Sequence, residues 1–89
     1  MHTPLTEHTQ YYLDKLQEEA AEIIQAVSKI RRFGPHNNHP DRTTTNLQEL
    51  VGELEDLLAL VACLEANDFV DLTPSQHNIR QKLQAIYRG

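Results

Sequence analysis

Residues 47–64 read LQELVGELEDLLALVACL. Leu47, Leu50, Val51, Leu54, Leu57, Leu58, Val61 and Leu64 recur at steps of three and four, the period of one broad helical face. The pattern predicts a helix over about 47–67. Asn46 followed by Glu49 has the spacing of a capping box, with Asn46 as the cap. Upstream, Leu13, Leu16, Ala20, Ile23, Val27 and Ile30 make a second stripe, predicting a helix over about 5–31. Thr3 and Pro4 offer its start, with proline at the first helical position. Downstream, Thr73, Pro74 and Gln76 resemble a capped start, and Ile79, Leu83 and Ile86 form a third, shorter stripe over about 75–88.

The stretch 33–45 joins the first two helices. It holds Gly34, Pro35, Pro40, two Asn, two His and three Thr, so it reads as a turn-rich loop, longer than most helix connections. No strand and no internal repeat is evident. The fold class is therefore all-α, a three-helix protomer in one domain over residues 1–89.

Size and charge narrow the function. The chain has 89 residues, 39% of them apolar, with 13 Asp and Glu against 8 Lys and Arg, a formal charge of −5. So small a chain buries too little surface to be comfortable alone. Pairing with further copies into an oligomeric helical bundle, a homodimer or homotetramer, would cover its open apolar faces. The lone Cys63 allows no internal disulfide and suits a reducing cytoplasm. The polar N-terminus has no signal-peptide core, and no apolar run approaches the ~20 residues that span a bilayer. A cytoplasmic protein with no membrane partner is expected. The acidic balance argues against binding a nucleic-acid polymer.

The acidic residues are not scattered. Glu18, Glu19 and Glu22 lie on the first helix; Glu49, Glu53, Glu55 and Asp56 lie on the second. Residues three apart are neighbours on a helix, so Glu19 projects with Glu22 and Glu53 with Asp56. Both pairs edge the apolar stripes. In an antiparallel hairpin the middles of the two helices meet, and the four carboxylates converge. Such a cluster is relieved by protonation or by a cation. An all-oxygen donor set favours Mg²⁺, with Mn²⁺ possible, over zinc. The di-iron Glu-x-x-His pattern is absent from both helices. An acidic stripe can also be no more than a solvated helix face.

Glu18-Glu19-Ala20-Ala21-Glu22 and Glu53-Leu54-Glu55-Asp56 resemble the paired Glu-Glu-x-x-Glu and Glu-x-x-Asp signature of the MazG-like, all-α nucleoside triphosphate pyrophosphohydrolases. The similarity spans about residues 13–64. It includes Ser28-Lys29-Ile30-Arg31-Arg32-Phe33-Gly34 and the run from Asn46 to Leu54, as in short phage-type members. Glu55 departs from the pattern, standing where relatives often have a small residue, and the C-terminal segment matches only loosely. The resemblance implies Glu19, Glu22, Glu53 and Asp56 as Mg²⁺ ligands. It implies cleavage between the α and β phosphates of a (d)NTP to give a (d)NMP and pyrophosphate. It implies a bundle completed between subunits and, for a viral member, a place in the host cytoplasm.

Other residues suit that chemistry. Glu18, beside the set, is the candidate to take a proton from the attacking water. Lys29 lies two turns beyond Glu22, roughly 10 Å along the axis, within reach of a triphosphate. Arg32 follows one turn later. Both also complement the helix dipole. Lys82, with Arg80, is a further phosphate candidate, or simply a solvated cation. Asn46 either caps its helix or reads a base edge. His36 and His39 read as exposed loop residues, Phe33, Tyr11, Tyr12 and Tyr87 as packing residues able to stack on a base, and Cys63 as a small buried apolar residue. Two rivals stand: an enzyme acting on an alarmone such as ppGpp, and a non-catalytic helical module that dimerises or binds a protein through the same stripes.

Overall fold

A computed structural model describes residues 4–89. The chain forms helix α1 (Glu7–Phe33), helix α2 (Asn46–Ala66), a 3₁₀ turn (Thr73–Ser75) and helix α3 (Gln76–Ile86). No strand occurs among the described residues, and the all-α class read from periodicity is the one observed.

The helix starts differ from the expected ones. Thr3 lies outside the described residues, and Pro4 precedes α1 rather than opening it. The cap is Thr6, in an extended conformation, whose Oγ1 accepts the Thr9 N–H at 3.1 Å. Glu7 then places negative charge against the positive end of the helix dipole. At α2 the capping box sits one residue earlier than Asn46–Glu49. Thr45 Oγ1 accepts from the Gln48 N–H at 3.1 Å, and Gln48 Oε1 accepts from the Thr45 N–H at 2.8 Å. Both pairs have the box spacing, but Thr45 is the residue with extended dihedrals. This shift frees Asn46 for tertiary work. At α3 no side chain caps the helix. Thr73 instead lies in the 3₁₀ turn, its N–H bonded to Asp71 Oδ1 at 3.0 Å.

The two long helices form an antiparallel hairpin. Thr9 and Asn67 are joined through their side chains at one end; Lys29 approaches Glu49 at the other. Gly34 ends α1 at φ +88°, a backbone angle that a side chain would strain, and its N–H bonds the Ile30 carbonyl at 2.8 Å. The chain then folds back. The Asn46 N–H reaches the Asn37 carbonyl at 2.8 Å, the Leu47 N–H reaches the Pro35 carbonyl at 2.9 Å, and Asn46 Nδ2 donates to the Gly34 carbonyl at 3.0 Å. The loop is thereby tied to both helix ends.

The hairpin is a poor core by itself. Only Ala26 and Leu64 are buried apolar residues among those described, and neither is completely closed off. Ile24 and Val27 of α1, and Leu47, Val51, Leu54 and Leu58 of α2, stay exposed. Along α2 these four make one stripe on the side away from Glu49, Glu53 and Asp56. Helix α3 packs against the 3₁₀ turn and on neither long helix, leaving Ile79, Leu83 and Ile86 open. The radius of gyration is 16.4 Å, against about 12 Å for a compact chain of this length.

Candidate metal centre

The hairpin brings the middles of α1 and α2 together at their acidic edges. One carboxylate oxygen from each of Glu19, Glu22 and Glu53 lies within 4.8 Å of the others. Glu19 is buried, Glu53 half-buried and Glu22 exposed. Asp56, one turn beyond Glu53, stands outside this three-oxygen group but lines the same cavities as Glu22.

Electrostatics identify the cluster as a place of unmet charge. Glu22 has its carboxyl pKa pushed above the ordinary range, first by hydrogen bonding to the Glu53 carboxyl and by that group's charge. Glu53 is raised chiefly through its hydrogen-bonding contact with Glu19, then by burial and by the charges of Glu19 and Asp56; contact with Glu22 works against this. Like charges cannot all ionise at this separation without cost. Moreover, Glu19 Oε1 and Glu53 Oε2 are buried without any hydrogen-bond partner among the described residues. Buried carboxylate oxygens ordinarily find a partner. Carboxylate oxygens converging in this way from two helices could hold a metal ion.

Two cavities open from the cluster. One, about 490 Å³, is walled by Glu22, Lys29, Arg42, Glu49, Glu53 and Asp56. The other, about 450 Å³, lies toward the start of α1 and has Tyr11, Lys15, Glu18, Glu19, Asp56 and Cys63 on its walls. Glu18 is exposed and 3.5 Å from Lys15 Nζ. Cys63 is half-buried beside this second cavity.

Lys29 lines the acidic cavity together with Glu22, Glu53 and Asp56, as its helical spacing suggested. Lys29 Nζ lies 3.8 Å from Glu49 Oε2. Arg42 reaches the other oxygen of the same carboxylate through Nη1 and holds the Glu49 carboxyl below its usual range. Arg42 was not among the residues singled out from sequence. It sits in an irregular loop, where no periodicity indicates which way a side chain turns. Arg32, a phosphate candidate from the sequence, lies over the Phe33 ring, 5.3 Å from its centroid. Lys82 rides on α3, which does not touch the hairpin, so this chain does not bring it to the cluster. Asn46 is buried and bonds Gly34 rather than capping α2. His39 accepts the Asp41 N–H at Nδ1 (3.2 Å). Tyr11 and Tyr12 pack edge to face at 5.6 Å.

Residues 2–82 match the family model described as phosphoribosyl-ATP pyrophosphohydrolase. The chain belongs to the phosphoribosyl-ATP pyrophosphohydrolase family. This is a MazG-like, all-α family related to nucleotide pyrophosphohydrolases, in agreement with the resemblance carried by the acidic pairs. No curated protein and no solved structure matches the chain. Membership of the phosphoribosyl-ATP pyrophosphohydrolase family indicates a hydrolase acting on a phosphoanhydride, and its carboxylate cluster is able to hold a metal ion. No helix among the described residues is long and apolar enough to cross a membrane.

Proposed function

We propose that the protein is a Mg²⁺-dependent pyrophosphohydrolase that cleaves a nucleoside triphosphate between its α and β phosphates, releasing a nucleoside monophosphate and pyrophosphate. The observation that carries this reading is the pair of orphaned buried oxygens, Glu19 Oε1 on α1 and Glu53 Oε2 on α2, in the same carboxylate cluster as Glu22. The (d)NTPs are one substrate class. The family's name favours a second, phosphoribosyl-ATP, which presents the same triphosphate on a larger nucleoside.

Glu19, Glu22 and Glu53 would hold the metal, with Asp56 completing the set as one of them releases its proton. A bound Mg²⁺ neutralises phosphate charge and makes its coordinated water more acidic. The chain's own groups supply the rest. Glu18, on the wall of the same cavity as Glu19 and Asp56, takes the proton from the attacking water. Lys29 and Arg42 hold the phosphate chain where it leaves the carboxylates. Two copies, or two pairs of copies, close the exposed apolar stripes and complete the bundle in the cytoplasm.

The test is a panel of NTPs, dNTPs and phosphoribosyl-ATP with and without Mg²⁺, read as pyrophosphate released. Turnover of at least one substrate that disappears on chelation and on Glu53→Gln is expected. No turnover on any member, together with no effect of Mg²⁺ on melting, would leave the helical-module reading instead.

A further inference from the structure

The acidic edge of α2 runs Glu49, Glu53, Asp56, at steps of four and three along one side of the helix. Its members face different partners. Glu53 joins Glu19 and Glu22 in the three-oxygen group, which does not include Glu49. Glu49 stands between two cations instead. Lys29 Nζ of α1 lies 3.8 Å from its Oε2, and Arg42 Nη1 of the loop donates to its Oε1. The Arg42 hydrogen bond, helped by the Arg42 and Lys29 charges and opposed by burial, holds the Glu49 carboxyl below its usual range. The carboxyls of Glu22 and Glu53 move the other way. Glu49 is thus set apart from the metal cluster although it shares the same helical edge.

Lys29 is carried by the end of α1 and Arg42 by the irregular loop. The backbone of Arg42 is already fixed. Its N–H bonds the His39 carbonyl at 2.9 Å, and its own carbonyl accepts from Asn38 Nδ2. Those bonds define the path of the loop but not the direction of a long side chain. Glu49 gives that direction. It sits in the first turn of α2, its N–H bonded to the Thr45 carbonyl at 3.0 Å. Its side chain is 17% exposed, against 42% for Lys29 and 52% for Arg42. The carboxylate is therefore the anchored member of the trio. A long cationic side chain loses rotamer freedom when it closes on a ligand; an anchored carboxylate that orients it beforehand removes part of that cost. Lys and Arg each carry more N–H donors than one carboxylate can occupy, so both keep donors for a second anion. All three residues line the acidic cavity with Glu22, Glu53 and Asp56.

We infer that Glu49 is a positioning residue: it ties the loop cation Arg42 to the helix cation Lys29, so that both are set in advance to grip one polyphosphate beside the carboxylate cluster. This role rests on the proposed pyrophosphohydrolase reading and adds to it a residue that holds neither metal nor substrate. A carboxylate in the first turn of α2 also complements the helix dipole, but that needs neither cation and would leave substrate affinity alone. A carboxylate that merely blocked the cations would have to be displaced by a polyphosphate, and its removal would tighten binding.

The test uses the full chain with Mg²⁺ and two readouts: pyrophosphate release from the panel of triphosphates, and calorimetric binding of inorganic tripolyphosphate. Glu49→Gln should raise KM about tenfold, the loss of one charge-assisted hydrogen bond, with kcat changed by less than about twofold. Tripolyphosphate binding should weaken by the same factor. Arg42→Ala should act comparably, and adding Glu49→Gln to it should cost less than about threefold more, because Lys29 alone is then left to position. The Mg²⁺-induced rise in Tm should survive Glu49→Gln, in contrast to Glu53→Gln. Tighter tripolyphosphate binding by Glu49→Gln, fully multiplicative effects in the double variant, or loss of the Mg²⁺ shift each overturns the assignment. An unchanged KM with a lowered Tm does so too, as the mark of a dipole role. Circular dichroism of each variant confirms that the helices are retained. If no triphosphate is turned over but the tripolyphosphate pattern holds, the positioning role stands at an anion site and the hydrolase reading falls. Turnover with a KM insensitive to Glu49→Gln removes the positioning role alone.

Discussion

Glu53→Gln separates the two things the acidic seam does. In the metal-free protein Glu53 faces Glu19 with carboxylate oxygens no more than 4.8 Å apart. At that separation two unit charges repel by about 1 kcal/mol even in a water-like dielectric. The unfolded chain escapes the repulsion, so the fold carries its cost. Removing the charge with an isosteric amide should therefore raise metal-free stability by about 1 kcal/mol. The new N–H₂ can also donate to the Glu19 carboxylate. For a chain of about this size, 1 kcal/mol corresponds to roughly 4–8 °C in Tm. Metal moves the wild type in the same direction by linkage, by ~2.7 kcal/mol at a hundredfold excess over Kd, or roughly 10–20 °C. The variant should lose most of that gain. Scanning calorimetry with and without Mg²⁺ thus has a crossed expectation: the variant melts higher than wild type without metal and lower with it. A variant that melts lower in both conditions would show that Glu53 is a structural residue. A variant that keeps the full Mg²⁺ shift would remove it from the ligand set.

Three further outcomes follow from the same geometry. Glu22 and Glu53 have carboxyl pKa values raised in the fold, so the stability they contribute is full below the ordinary carboxylate value and lost as pH rises through the raised values. Glu49 is depressed by Arg42 and behaves oppositely, losing its contribution only as pH falls below the ordinary range. The metal-free protein should therefore melt lower at pH 7 than at pH 5, and the Mg²⁺-induced shift should grow over that interval as metal displaces protons. Fluorimetric melting at each pH, with and without EDTA, reads both. Asn46→Ala removes the bond to the Gly34 carbonyl and should cost about 1–3 kcal/mol, against about 1 kcal/mol for loss of the Thr45 cap in Thr45→Ala, both measured by urea unfolding. Leu54→Lys places a charge in the exposed apolar stripe and should lower the mass found by light scattering; an unchanged mass would show that this stripe is not the surface between copies.

The hairpin was legible from sequence because its signal is long. A stripe repeated over Leu47–Leu64 outweighs any local ambiguity, and the same periodicity placed Glu19, Glu22 and Glu53 on facing edges. The caps were less legible because Thr45–Gln48 and Asn46–Glu49 have the same spacing and equally competent side chains. What decides between them is which residue adopts extended dihedrals, a consequence of how the loop arrives. Asn46 could be seen as important but not why: its partner, the Gly34 carbonyl, is twelve residues away across the turn. Arg42 was invisible for the same reason, since its role depends on a loop path that only the Gly34 reversal and the Asn37–Asn46 bond define. Lys82 is a different case: it lies on a short helix with an open stripe that does not dock on the hairpin of its own chain.

The hairpin's two sides make opposite demands on stability, and this relates the assembly to the metal. On one side the acidic edges meet, with two carboxylate oxygens buried and unpaired; this side opposes folding in the metal-free protein. On the other side Ile24, Val27, Leu47, Val51, Leu54 and Leu58 remain exposed, and with only two apolar residues buried among those described there is little to set against the acidic cost. Covering the apolar stripe with a second copy would supply that stabilisation without blocking the carboxylates, because the two faces point in different directions around α2. The stripe and the cluster are then thermodynamically coupled through folding. Metal should strengthen association at low protein concentration, and Glu53→Gln should strengthen it without metal. Sedimentation of wild type and variant across a dilution series measures that coupling, and independence of association from both metal and substitution would show that the two sides act separately.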